Sequence, residues 1–481
     1  MREAALAAAA VALLSSSACT VGPDYRRPTS DIPEAFRFQV KDASDVANAQ
    51  WWRQFDDPPL DTLIDTALSR NWNLQTAAGQ VEQAAAILTQ ARSGALPQIG
   101  YTGSAQRQRV PVSTIPLPAG VSNPHNLFEA ILSSSWEIDL WGRVRRQAEA
   151  AQANLVGAEE ARRGVVLSLV ASVAITYLQL RTLDEQLDIA NEALKVYGDT
   201  LQLFQNRFKY GEVSMLNVEQ ARAQYEGAAA TIPQLELQIG QTEDALSVLM
   251  GNDPAAIPRG KLLNEMSLPH VPAALPSQLL ERRPDIAQAE QTLIAANAQV
   301  GAAEALYFPQ ISLTGAFGWV SKQLGDLFEG PARLWTFGGS FTGPIYTGGA
   351  ISGQVSEADA VRKQALANYQ QTIRSAFAQV SDALISYQKG LEQLAAEEKL
   401  VAALRENVRL ATLQFNEGYE AYLTVLIAER DFYAAQANVA QVRANAYASL
   451  VNIYQSLGGG WVTDAAKLAP QPAAQPAFPF P

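Results

Sequence analysis

Two stretches of about 67 residues, 143–209 and 350–416, contain no proline and place an apolar side chain at every seventh position. Val166, Val173, Leu180, Leu187, Leu194, Leu201 and Phe208 form the first series. Ile373, Val380, Tyr387, Leu394, Val401, Val408 and Phe415 form the second. A continuous helix of that length reaches on the order of 100 Å, far beyond an ordinary globular helix. A seam repeating every seven residues is buried only against neighbouring helices that supercoil with it. The two stretches therefore read as coiled-coil or tube-wall helices.

The second stretch belongs to a copy of the first. Leu96-Pro97-Gln98-Ile99 recurs as Phe308-Pro309-Gln310-Ile311, and Phe208-Lys209-Tyr210-Gly211 as Phe415-Asn416-Glu417-Gly418. Between them Leu140-Trp141-Gly142 resembles Ile345-Tyr346-Thr347-Gly348, all roughly 210 residues apart. The chain thus divides into repeat 1 (59–250), a linker (251–282), repeat 2 (283–457) and a C-terminal segment (458–481). Each repeat reads as helix, two strands, long helix and returning helix. The strands fall at about 98–110 and 126–140 in repeat 1, and at about 310–321 and 334–346 in repeat 2. The return helices fall at about 214–250 and 421–457. Gly211 and Gly418 end the long helices at exposed tips, and Pro233 predicts a kink in the first return helix.

The strand segments alternate. Ile311, Leu313, Phe317 and Trp319 share one face with small or polar residues between them, and Trp335, Phe337 and Phe341 repeat the pattern. Strands of about 10 residues patterned this way fit a transmembrane barrel, or a half-buried sheet in a soluble domain. Trp136, Trp141, Trp335 and Tyr346 suit the bilayer interfaces. Four strands cannot enclose a channel, and lipid does not tolerate an open sheet edge. In the barrel reading several protomers must share one wall.

The net charge of −12 and pI of about 4.9 argue against nucleic acid as a partner. The lone cysteine, Cys19, excludes an intrachain disulfide. The two histidines, His125 and His270, lie in loop-like and linker sequence, which leaves no Cys/His metal site and no cofactor expected. No phosphate loop or nucleophile elbow occurs, so no enzyme is expected. The apolar run 4–14 before Ser15-Ser16-Ser17-Ala18-Cys19 reads as a signal peptide, residues 1–18. The small residues before Cys19 resemble a bacterial lipoprotein site. There Cys19 becomes the mature N-terminus and carries diacylglycerol and an N-acyl chain; ordinary signal cleavage nearby is the other outcome.

With Cys19-Thr20-Val21-Gly22-Pro23-Asp24-Tyr25, Trp51-Trp52 before Phe55-Asp56-Asp57-Pro58, Trp136-Glu137-Ile138-Asp139-Leu140-Trp141-Gly142-Arg143, Arg283-Pro284-Asp285-Ile286 and Leu457-Gly458-Gly459-Gly460-Trp461, the chain resembles the outer-membrane factor family typified by TolC and OprM, and within it the NodT-type efflux lipoproteins. The resemblance covers about residues 19–461. It implies a homotrimer with a 12-stranded barrel and an α-helical tunnel, anchored in outer-membrane lipid. It also implies a periplasmic adaptor and an inner-membrane RND pump as partners, in a tripartite system exporting drugs or other small molecules passively. Segments 20–58, 251–282 and 458–469 form a belt about the tunnel in this reading, and the Pro- and Ala-rich tail 470–481 is expected to be disordered.

By the same resemblance the periplasmic aperture maps to Leu423, Ile427, Glu429 and Arg430. Relatives usually place Asp where Ile427 stands, which implies an apolar ring with Glu429 or Asp431 left to supply charge. The bland alternative makes Leu423 and Ile427 plain coiled-coil core. The tips, Gly211, Ser214, Leu216, Gly418 and Ala421, are implied to contact the adaptor, or merely to form tight turns. Two other functions stay open: the channel of a type I protein secretion system, and a periplasmic coiled-coil scaffold without a pore.

Overall fold

The structure, a computed structural model, describes residues 20–29, 35–38, 50–111, 122–271, 276–459 and 461–473. The signal segment, Cys19 and the end of the tail lie outside the described residues. A 3-10 turn at Trp51–Phe55 leads into α1 (Pro58–Arg70) and α2 (Trp72–Ser93). Strands β1 (Gln98–Gln108) and β2 (His125–Ile138) precede α3 (Arg143–Lys209) and its returning partner α4 (Met215–Leu249). After the short α5 (Pro276–Arg282), repeat 2 supplies α6 (Pro284–Glu304), β3 (Gln310–Ser321), β4 (Arg333–Thr342), α7 (Ala350–Asn416) and α8 (Tyr422–Leu457). The chain closes with α9 (Trp461–Leu468).

Both long helices run 67 residues. They begin after Gly142 and Gly349 and stop at tips of one design. At the first tip Gly211 has φ +75° and donates to the Phe208 carbonyl, while Glu212 donates to Arg207. At the second Gly418 has φ +79° and donates to Phe415, while Tyr419 donates to Gln414. This bond pair uses up carbonyls that the helix end leaves free, and it requires a left-handed residue that glycine adopts without strain. α4 runs through Pro233 without a break.

The four strands form one antiparallel sheet in the order β1-β2-β3-β4. The β2–β3 pairing, Ile138 opposite Ile311, joins the two repeats. Among the described residues β1 and β4 therefore each present an unpaired edge. A half-buried soluble sheet covers one face, but here Tyr101, Trp335, Phe337 and Phe341 all stand exposed. β4 ends at Thr342 rather than near 346, because Gly343-Pro344 follows and proline has no N–H for the ladder. Ile345 and Tyr346 consequently lie beyond the strand. β1 and β2 likewise stop two residues early, and His125 opens β2 instead of lying in a loop. Trp136 and Trp141 anchor the junction of the sheet with the helices. The Trp136 indole donates to Ala95 O, while that of Trp141 donates to Pro309 O and stacks on Phe308 at 4.7 Å.

The belt is the main core. Trp51 stacks on Tyr454 at 5.3 Å, and Trp461 meets Trp51 and Trp52 edge-on at 6.1 and 5.6 Å. Asp57, fully buried, caps α1 at the Leu60 N–H and accepts from Lys261 N at 3.0 Å and from the Tyr177 hydroxyl. Arg283 binds the Ser456 carbonyl and forks onto Asp285. These contacts give the Trp-Trp, Phe-Asp-Asp-Pro, Arg-Pro-Asp and Gly-Gly-Gly-Trp motifs a shared structural role in the main core.

Residues 20–27 form a strap from the end of the sheet along α3 and α6, and Tyr25 within it packs against the belt core. Val21 N donates to Trp141 O, buried Arg146 binds the carbonyls of Val21 and Gly22, and Asn297 donates to Pro23 O. Tyr25 and Arg27 both reach Glu290.

Candidate functional site

The end of the hairpins away from the barrel is held by an aromatic knot. Tyr422, at the start of α8, packs on Phe204 of α3 at 4.2 Å and on Phe415 of α7 at 5.0 Å. Val218, Ala221, Val425, Leu426 and Ala428 complete this small core. Core positions on α8 are thus filled by Val425 and Leu426. Leu423 and Ile427, one turn apart, turn away from it and stay 46% and 43% exposed. Within a protomer they are not plain coiled-coil core.

Glu429 and Arg430 part company. Arg430 is exposed and pairs with Asp431 at 2.9 Å. Glu429 is half-buried, and its Oε2 has no hydrogen-bond partner among the described residues. Burial pushes its carboxyl up to about 7. Its surroundings are phenolic: Tyr197, Tyr422 and Tyr433 feel its charge, and burial raises each of their hydroxyls.

At the tips Ser214 and Ala421 start the return helices, with Ser214 bonded to Asn217 at 2.8 Å. Leu216 stands exposed at the position matching Leu423. The sequence reading missed Tyr210 and Tyr419, which flank the tip glycines and are 78% and 83% exposed, with Met215 beside them. An aromatic residue next to a helix-ending glycine was the available signal, since nothing at a tight tip can cover it. The tips therefore present apolar surface that a monomer rarely leaves open. Among the described residues no group of three or more His, Cys, Asp or Glu is placed to hold a metal.

Comparison with known proteins gives a consistent picture. The model of the "Outer membrane efflux protein" family matches residues 63–252 and 275–459. The toluene efflux pump outer membrane protein TtgC of Pseudomonas putida is 37% identical over 92% of this chain and 93% of its own length. The cation efflux system protein CusC of Escherichia coli is 33% identical over 93% of this chain and 97% of its own. Among solved structures, the open state of the MtrE outer membrane channel of Neisseria gonorrhoeae superposes with a TM-score of 0.82 at 30% identity, covering 92% of this chain and 99% of that one.

Proposed function

The chain belongs to the outer membrane efflux protein family, and on that premise we propose that three copies close one 12-stranded barrel over a common helical tunnel. It is the outer-membrane channel of a tripartite efflux system. The observation behind the trimer is the four-stranded sheet, which exposes aromatic side chains and leaves the β1 and β4 edges unpaired. In hydrocarbon those edges must be satisfied, and β4 of one copy against β1 of the next does so. A periplasmic scaffold has no use for such a sheet.

Leu423 and Ile427, turned away from the protomer core, converge in the trimer as a hydrophobic constriction that closes by shedding water. Glu429 and Arg430 lie just beyond it on α8. The tips at Gly211, Ser214, Leu216, Gly418 and Ala421, with Tyr210 and Tyr419, offer the adaptor an apolar landing surface. Energy comes from the inner-membrane RND pump, and the duct is not an enzyme. Names of the relatives, toluene and cation efflux, favour small cargo over secreted protein. Cys19 is the lipid anchor. In support, the strap holds Thr20 against Gly142, at the end of the strands that the proposed barrel places in lipid.

Planar-bilayer recording tests the duct and its aperture together. The wild type is expected to conduct weakly at rest. Ile427→Asp, which wets the constriction, is expected to raise resting conductance several-fold and favour cations. Unchanged conductance and selectivity in Ile427→Asp contradict the aperture, and no conductance from either protein contradicts the duct.

A further inference from the structure

A cavity of about 410 Å³ lies between α3, α4 and α8, on the tunnel side of the aromatic knot. Its place in the wall follows from helix geometry. On α8, Gln436, Val439 and Arg443 line a different cleft, shared with Asn264 of the belt linker, so that side of the helix is the outer one. Arg443 is nine positions beyond Ala434, half a revolution at 100° per residue. Ala434 and Arg430 line the cavity, and Ile427 and Leu423 continue the same side of α8 toward the tip. The cavity therefore opens on the inner surface, just inside the constriction. This placement rests on the trimeric duct proposed above.

The lining is chemically specific. Tyr197 and Tyr433 meet edge-on at 5.9 Å, and Leu235 adds aliphatic surface. Among the described residues Arg430 is the only charged side chain that lines the space, and its contact with Asp431 is solvent-exposed and therefore weak; the Glu429 and Glu192 carboxylates lie near the two rings without lining it. Gln186 and Gln224 supply neutral hydrogen-bonding groups. Gly227 leaves real room: a Cβ added there meets nothing within 4 Å. The volume falls within the usual range for small-molecule sites, which combine apolar walls with a few converging polar groups.

We propose that this cavity is a transit site for a small aromatic anion, its ring held against Tyr197 and Tyr433 and its anionic group by Arg430. Ring–ring contact and the guanidinium charge supply the two halves of the recognition. Occupancy sets how long such a molecule dwells before leaving through the tunnel.

The test uses the full chain in detergent-free amphipol particles, with naphthalene-2-sulfonate as probe and naphthalene-2-methanol as its uncharged counterpart. Calorimetry is expected to show saturable binding of the sulfonate at one per chain. Gly227→Trp, which fills the space, and Arg430→Gln are each expected to weaken it at least tenfold. The alcohol is expected to bind more weakly than the sulfonate to the wild type and equally to wild type and Arg430→Gln. No saturable binding, or binding indifferent to both substitutions, overturns the site. Bilayer recordings on the same protein keep the two readings apart. Conductance without sulfonate binding removes the transit site and leaves the duct. Binding that responds to both substitutions without conductance keeps the cavity and removes the duct.

Discussion

Glu429 illustrates how one side chain near a helix tip can tune a whole region. Its carboxyl lies among Tyr197, Tyr422 and Tyr433 with one oxygen lacking a partner, and desolvation lifts it to about 7. The folded tip therefore holds a proton that the unfolded chain releases near the ordinary carboxylate value of 4.5. The sign follows from linkage: local stability is fullest below pH 4.5, falls as pH rises toward 7, and stays reduced above it. Hydrogen exchange of the first α8 amides, corrected for intrinsic rates, is predicted to lose roughly tenfold protection between pH 5 and 8. Glu429→Gln is predicted to flatten that slope, and an identical slope in both proteins contradicts the assignment. The sequence pointed to Glu429 only as a spare charge near the aperture. Its burial depends on rings from α3 and α8, more than 200 residues apart in the chain, and no local pattern reveals that.

Much of the fold is legible element by element, because its signals are local. Proline-free heptads delimit the long helices, and glycines mark their tips. The strand ends are less legible: Tyr346 continues an aromatic alternation, but Gly343-Pro344 stops the ladder before it. The course of the strap is not legible in the sequence, because its partners Arg146, Glu290, Asn297 and Gly301 are distant from it along the chain. Gly22 is what allows the strap to lie flat. It has φ +93°, and an added Cβ would come within 2.3 Å of the Gly301 Cα. Both a left-handed backbone and a backbone clash oppose any side chain there, a cost of about 2 kcal/mol or more. Gly22→Ala is therefore predicted to release the strap, seen as at least tenfold faster proteolysis within residues 20–29 with the helical hairpins still resistant. Cleavage at the wild-type rate contradicts the strap's dependence on that contact.

The whole molecule follows from duplication combined with an open sheet. Each repeat contributes two strands and one long hairpin, and β2–β3 pairing fuses the copies into a single panel. The belt of Trp51, Trp52, Tyr454 and Trp461 braces that panel at its middle, where α4 gives way to the linker and α8 to α9. α3 includes an 18-residue window apolar enough to cross a membrane, yet 56% of that window is buried inside the protein, as befits a helix packed at the centre of the panel. A panel with two bare strand edges and exposed aromatic side chains is not a finished object in lipid; it requires neighbours of the same kind. The most direct test is the native mass of the detergent-solubilised particle. Three chains per particle, each near 51.8 kDa before processing, is the predicted result. A single chain that stays soluble once detergent is removed contradicts the account.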